Sequence, residues 1–253
     1  MLDGGDWSVY ISDDIASPAA VAVDLQYRQV ERIPSYPMLV TVELKLQHPR
    51  ENGLPQKDES EIIYALEDRL VSQSESIGDI RFVGHKLSDG QARYFFYASN
   101  ASAMTGIIET ARKQFPSYVI DQHVIQDTSW SVYRHVLAPS GDNLQQAEDN
   151  KVIQKLTSLG DDISLPRLIH HFAYFSTPTE LQNFKAAILA DGFHVDNETT
   201  SDQVDGKLPI RFSRRDAPSE ITSVTVKLTH LAEEFSGDYD GWESPPANGI
   251  RTP

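Results

Sequence analysis

The 253-residue sequence predicts an α+β protein made of two β-α-β-β-α-β sandwich domains, the first of which has extra strands. Three observations predict this class. Strand-like alternation and helix-like 3–4 spacing of apolar residues follow one another in that order in the second half. The first half repeats the order without repeating the sequence. Residues 138–143, rich in turn-forming types, are typical of a linker. We therefore assign residues 1–140 and 149–253 to separate domains.

The second half shows the clearest boundaries between elements. Thr177, Pro178 and Glu180 predict a capping box ahead of a helix that Gly192 ends. A helix over about residues 218–235 has one apolar face, formed by Ile221, Val224, Leu228, Leu231 and Phe235. Strands are expected at residues 170–176, 193–200, 207–213 and 238–243, and a short helix at about 144–159 precedes them. This is the element order of a ferredoxin-like plait.

The first half has the same order with additions. We expect strands at residues 40–46, 80–87, 92–98, 117–126 and 130–136, and extra strands at 7–12 and 20–30. Ser88-Asp89-Gly90 predicts a hairpin turn. Apolar residues at helical spacing predict two helices, one carrying Ile62, Leu66 and Leu70 and one carrying Met104, Ile107, Ile108, Ala111 and Phe115. The tetrapeptide Trp-Ser-Val-Tyr occurs at 7–10 and 130–133, and we interpret both copies as edge strands.

Composition excludes several classes of function. The net charge is −15, and acidic residues exceed basic ones in every segment, by 19 to 12 over residues 1–137 and by 13 to 8 over 164–253. Direct nucleic-acid binding is therefore not expected, because phosphate contact requires clustered Lys and Arg. The absence of cysteine excludes disulfides and thiolate metal sites. No long apolar run or signal-peptide pattern is present, so we expect a cytoplasmic protein with no membrane contact.

The sequence gives no positive indication of an enzyme. Phosphate-binding glycine loops and a Gly-x-Ser-x-Gly elbow are absent. His170 and His171 are adjacent on a predicted strand, so their side chains point to opposite faces and cannot readily share a metal ion. Six other histidines lack the spacing of a zinc enzyme: His48, His85, His123, His135, His194 and His230. We expect no metal and no cofactor.

Two groups of residues are candidates for contact with a partner. In residues 237–243, Asp238, Tyr239, Asp240 and Trp242 combine turn chemistry with aromatic side chains, which commonly anchor interfaces but also fill cores. Strand alternation places Tyr239 and Trp242 on opposite faces. A calcium loop is disfavoured, because the bidentate Glu would arrive too early. The second group is the basic set Arg211, Arg214 and Arg215, which could grip an acidic peptide or phosphate, or guard a sheet edge.

These features resemble a known family. The strand at residues 170–175, the helix that ends at residues 191–193 and the final segment 237–243 are similar to the regulator of ribonuclease activity B family from about residue 150 to 243. This resemblance implies a non-catalytic protein that inhibits ribonuclease E by binding it. The first half resembles a bacterial domain family of unknown function. The alternatives are a small-ligand sensor or enzyme with a site between the two domains, and a stand-alone binding protein of the toxin-immunity kind. Oligomeric state is not indicated.

Overall fold

The computed structural model describes residues 5–12, 18–29, 35–198 and 206–247. The chain divides into two compact units, Met1–Asn143 and Leu144–Pro253. Each unit contains one antiparallel sheet, of six strands in the first unit and four in the second. The mixed α+β class predicted from the sequence is confirmed. In the described residues, no helix is both long enough and apolar enough to cross a bilayer.

The first unit is a four-stranded core with a hairpin added at one edge. Its elements are β1 (Trp7–Ser12), β2 (Ala19–Asp24), β3 (Met38–Lys45), α1 (Lys57–Glu75), β4 (Ile80–Ser88), β5 (Gln91–Ala98), α2 (Ser102–Gln114) and β6 (Ile120–Gln126). The strand order is β1-β2-β4-β5-β3-β6. Asp89 and Gly90 have positive φ angles of 53° and 69°, so the predicted hairpin turn is present between β4 and β5.

Both faces of the six-stranded sheet are covered. On one face, α1 and α2 bury an apolar cluster that includes Leu66, Leu70, Ile107, Tyr94 and Phe96. On the other face, residues 131–137 form a short helical segment that ends in a π-helical turn, Tyr133–Leu137. Trp130 stacks on Tyr97 with ring centroids 3.9 Å apart. The first unit therefore has a second, aromatic core opposite its helices.

The predicted strand at residues 130–136 is wrong. Asp127 accepts hydrogen bonds from the backbone N–H groups of Ser131 (2.8 Å) and Val132 (2.9 Å) and from the Tyr97 hydroxyl (2.6 Å). This pattern satisfies the free N–H groups of a helical turn, which outweighs the strand propensity of the residues that follow. The first copy of Trp-Ser-Val-Tyr lies in β1, as predicted, and the second begins this turn.

The second unit follows the predicted order. Its elements are α3 (Asp142–Ser158), β7 (Arg167–Phe175), α4 (Pro178–Ala190), β8 (His194–Glu198), β9 (Leu208–Asp216), α5 (Ile221–Glu234) and β10 (Asp238–Glu243). The strand order is β10-β7-β9-β8, so β10 and β8 are the edges. The four core strands of the first unit have the same order when they are numbered along the chain. The predicted strand at 20–30 is wrong beyond Asp24, because Leu25–Tyr27 form a 3-10 turn capped by the Asp24 side chain, which accepts from the Gln26 N–H. Residue 30, and residues 199–200 of the strand predicted at 193–200, lie outside the described residues.

The helices of the second unit pack on one face of its sheet. The predicted capping box is present: the Thr177 hydroxyl accepts from the Glu180 N–H, and the Glu180 carboxylate accepts from the Thr177 N–H. In α5, Ile221, Leu228 and Ala232 are buried, and Leu228 lies in a core with Phe175, Phe184 and Phe212. The predicted apolar face is thus confirmed, although the buried residue Thr225 was not expected in it.

Candidate functional site

The strand β10 carries most of the residues that the sequence singled out. Its pairing with β7 shifts register between Tyr239 and Gly241, which is a β-bulge at Asp240. The extra residue cancels strict alternation, so Tyr239 and Trp242 both contact the apolar clusters beneath the helices. The predicted placement of these two aromatic residues on opposite faces is therefore wrong. Gly241 has a φ angle of 121°, which a side chain would disfavour.

Trp242 is part of a buried polar network. Trp242 is only 8% exposed, and its indole N–H donates a hydrogen bond to the Asp149 carboxylate of α3 at 3.0 Å. Asp149 also accepts from the Thr225 hydroxyl of α5 (2.6 Å) and from the Gln145 amide (2.9 Å). Burial raises the pKa of the Asp149 carboxyl despite these hydrogen bonds. Asp149 therefore ties α3, α5 and β10 together through its hydrogen bonds.

We expect Trp242→Phe to lower the free energy of unfolding by about 2–3 kcal/mol, because it removes apolar contact and leaves the buried Asp149 carboxylate short of one donor. Chemical denaturation of the full chain measures this. A double-mutant cycle with Asp149→Asn should show non-additive effects, because the two side chains share the hydrogen bond. Unchanged stability would instead place Trp242 at a surface, where its role would be partner contact.

Tyr239 and His171 form a second internal pair. His171 is fully buried, and its Nδ1 atom lies 2.8 Å from the Tyr239 hydroxyl. Its ring stacks on Phe212 with centroids 5.5 Å apart. Burial, with a smaller contribution from the Arg214 charge, lowers the pKa of His171 to about 3, so the ring is neutral at physiological pH. His170 faces the other way and contacts Asp196 at 2.6 Å, as the alternation of β7 predicts.

The three arginines do not form a cluster. Arg211 contacts Glu243 at 3.2 Å, whereas Arg214 contacts Asp216 at 2.9 Å and lies over the Phe193 ring on the helical side. Arg215 is exposed. Since β9 lies between β7 and β8, these residues do not guard a sheet edge, and that prediction is wrong.

The face of this sheet opposite its helices carries a row of charges. Arg211 lies at its centre, with its guanidinium 5.6 Å from the Phe172 ring and 3.8 Å from the Asp196 carboxylate. Asp196 accepts from the Ser213 hydroxyl at 2.6 Å. Burial alone would raise the pKa of Asp196, but hydrogen bonds from Ser213 and His170 lower it overall. Asp196, which no pattern in the sequence marks, stands at a β-bulge of β8.

The outer side of β10 is acidic. Asp238, Asp240 and Glu243 are all exposed, and we call these three residues the acidic edge. Lys207 contacts Asp238 and Arg211 contacts Glu243, whereas Asp240 projects at the bulge. Bulges and charges at an edge strand oppose uncontrolled pairing with other sheets. Of the predicted partner-binding set, Asp238 and Asp240 of the acidic edge are exposed, as is Arg215 of β9.

The arrangement offers no metal site in the part of the chain that is described. No group of three or more His, Asp or Glu side chains there is placed to hold an ion. Asp240 lies at the bulge, and Asp238 is paired with Lys207. This surface presents charged side chains on a four-stranded sheet.

The structure defines a protein of two α+β units, each built on a four-stranded β-α-β-β-α-β core. The chain belongs to a family of unknown function, DUF695, whose model matches residues 5–138. Residues 146–244 match a second family model, described as regulator of ribonuclease activity B. Both halves thus match the families that the sequence resembled.

Solved structures show only distant similarity. A candidate glycine cleavage system transcriptional repressor is 9% identical with a TM-score of 0.26, and 82% of this chain and 98% of that chain are covered. An unknown protein from Galdieria sulphuraria is 13% identical with a TM-score of 0.23 over the same shares. A Bacteroides thetaiotaomicron protein is 8% identical with a TM-score of 0.18, with 82% and 93% covered. No curated protein matches the chain.

Proposed function

We propose that this protein is a non-catalytic, cytoplasmic regulator that binds a ribonuclease of the E type directly and modulates its activity. The observation that carries the proposal is the match of residues 146–244 to the regulator of ribonuclease activity B family. On their element and strand order, we also assign both units to the ferredoxin-like class, with the domains at residues 1–140 and 149–253.

The contact surface that we propose is the acidic edge. Trp242 is buried and Tyr239 is half-buried against the helices, whereas Asp238, Asp240 and Glu243 are exposed on one strand. An enzyme that handles RNA needs basic surface, and a carboxylate row complements such a surface. Attraction between opposite charges accelerates association, and dissolved salt screens this attraction, so binding should weaken as the salt concentration rises.

Isothermal titration calorimetry of the full chain with purified ribonuclease E measures whether the two proteins bind and how tightly. The wild-type protein should bind the enzyme and reduce its cleavage of a short RNA, and the affinity should fall as salt is raised. We expect Asp238→Asn combined with Asp240→Asn to weaken binding about five- to thirty-fold, since an exposed charge contributes on the order of 0.5–1 kcal/mol. The same protein should not bind the RNA alone at physiological salt, because its net charge is −15.

Glu233→Gln combined with Glu234→Gln is the matched control. These exposed residues lie in the last turn of α5, and the pair changes net charge by the same amount. The control should bind like the wild type. Equal weakening by both pairs would refute the acidic edge as the contact but leave the regulator function standing. No association between the wild type and the enzyme, or tight binding of RNA by the protein alone, would refute the function.

A further inference from the structure

The first unit contains a cavity that the proposed regulator function does not use. It has a volume of about 400 Å³, within the range of sites for small ligands. It lies where the β1–β2 hairpin, the C-terminal turn of α1 and the start of β4 meet. We call it the Trp7 pocket, and the residues that matter for its chemistry are Trp7, Tyr27, Phe82, Arg81, Asp24 and Glu75.

The apolar walls of the Trp7 pocket are aromatic. Trp7 stacks on Phe82 with centroids 5.5 Å apart and an interplanar angle of 24°. Tyr27, which packs on Trp130 at 5.1 Å, contributes a third ring. Flat walls of this kind favour a planar ligand, because offset stacking of rings adds to the burial of apolar area.

The cation of the pocket lacks a carboxylate partner. Arg81 donates through Nη1 to the backbone oxygens of Gly78 (2.8 Å) and Ile80 (2.9 Å), and its guanidinium lies 4.8 Å from the Tyr36 ring. In the described parts of the chain, no carboxylate lies within ion-pair distance of Arg81. The backbone thus holds the guanidinium in place and leaves its remaining N–H groups for another acceptor.

The acids of the pocket do not compete for that guanidinium. Asp24 is buried, and its carboxylate accepts from the Asp6 N–H (2.8 Å), from the Gln26 N–H (3.1 Å) and from the Gln26 amide. Glu75 is exposed at the rim. Two carboxylates near a single arginine disfavour a doubly charged ligand such as a phosphate monoester. A carboxylate has one negative charge and fits the guanidinium fork with two parallel hydrogen bonds.

Within the part of the chain that the structure describes, the indole N–H of Trp7 lacks a hydrogen bond of the kind that the other two tryptophans make. Trp130 donates to the Tyr36 carbonyl oxygen and Trp242 donates to Asp149, each at 3.0 Å. The Trp7 N–H is buried without a hydrogen-bond partner among the described residues. Gly5 lies against it, since a Cβ atom there would come within 2.8 Å of the Trp7 nitrogen. A buried donor without an acceptor is uncommon in folded proteins, and this one belongs to a residue that lines the pocket.

We propose that the Trp7 pocket binds a small planar aromatic carboxylate, with the ring against Trp7 and Tyr27 and the carboxylate on Arg81. This binding site is independent of the proposed contact with a ribonuclease, because every residue involved lies in the first unit.

Sodium benzoate is the probe, and the readout is the indole N–H signals of the ¹⁵N-labelled full chain, with the Trp7 signal assigned by Trp7→Phe. Benzoate should shift the Trp7 signal in a saturable way with a Kd on the order of 1 mM, typical of a one-ring ligand. The signal of Trp242 should stay fixed, since this residue is buried in the second unit and is not part of the pocket. Cyclohexanecarboxylate, which carries the same charge on a puckered ring, should bind at least about fivefold more weakly.

Variants at Arg81 complete the test. Arg81→Gln should weaken benzoate binding about tenfold or more, and Arg81→Lys, which keeps the charge but not the fork, should be intermediate. Arg93→Gln is the control, because Arg93 pairs with Glu43 on another strand and is not part of the pocket. No saturable shift of the Trp7 signal up to the solubility limit of benzoate would overturn the proposal. Equal affinity in Arg81→Gln and the wild type, or equal binding of both carboxylates, would overturn it as well.

Discussion

Leu228→Asp should abolish cooperative folding of the second unit. Leu228 is 2% exposed in the core that includes Phe184 and Phe212. The substitution loses the burial of a leucine and forces a carboxylate into apolar surroundings, at a combined cost of about 5 kcal/mol or more. Since whole domains are stable by only about 5–15 kcal/mol, this unit should be largely unfolded. Thermal unfolding of the full chain, followed by circular dichroism, should lose one transition or show it at much lower temperature.

Ser223→Asp is the matched control for that experiment. Ser223 lies in the first turn of the same helix, and it is exposed. A carboxylate near a helix N-terminus is tolerated or mildly favourable, so the melting temperature should change by only a few degrees. If Leu228→Asp melted like Ser223→Asp, the buried face of α5 would be assigned wrongly.

Periodicity in the sequence was sufficient to predict the α-helices α1 to α5 and the order of the core strands along the chain. The capping box at Thr177 and Glu180 and the apolar spacing of α5 are local signals that depend on few residues. The excess of acidic residues likewise requires no structure. These features could be predicted because each element buries one side, and burial imposes a period on the sequence.

The second Trp-Ser-Val-Tyr segment shows where local reasoning fails. The same four residues are extended in β1 and begin a helical turn after Asp127. Their strand propensity is identical in both places, so the difference comes from what precedes and surrounds them. Asp127 satisfies two backbone N–H groups, and Trp130 stacks on Tyr97 of a distant strand. Such tertiary contacts override propensity and cannot be read from the segment itself.

The candidate site was only partly predictable for a related reason. A single bulge at Asp240 moved Tyr239 to the same side as Trp242. No residue pattern marks a bulge with certainty, although the glycine at position 241 is a hint. The partner of Trp242, Asp149, lies far away in sequence on α3, and a lone aspartate in a polar helix gives no signal that it is buried. Long-range polar networks depend on how elements pack, and the sequence predicts only the elements.

Acid should selectively destabilise the second unit through His171. Burial lowers the pKa of this histidine to about 3, whereas in the unfolded chain it is about 6.5. Between these values the unfolded state binds a proton that the folded state does not, so stability is fully present above about pH 6.5 and is lost as the pH falls toward about 3. At pH 4 the loss should be about 3 kcal/mol, since each pKa unit corresponds to about 1.4 kcal/mol. The raised pKa of Asp149 acts in the opposite direction and reduces the net effect.

Urea unfolding at pH 7 and at pH 4 measures this loss when the chain carries 5-fluorotryptophan, because Trp242 is the only tryptophan of residues 144–253 and its ¹⁹F signal follows that unit alone. His171→Phe keeps an aromatic ring against Phe212 and removes the titrating group, so the difference in unfolding free energy between the two pH values should shrink by about 3 kcal/mol. His194→Gln, at an exposed position of β8, should leave that difference unchanged. An equal loss of stability in the wild type and in His171→Phe would show that another group controls the acid sensitivity, and that His171 does not resist protonation in the folded protein.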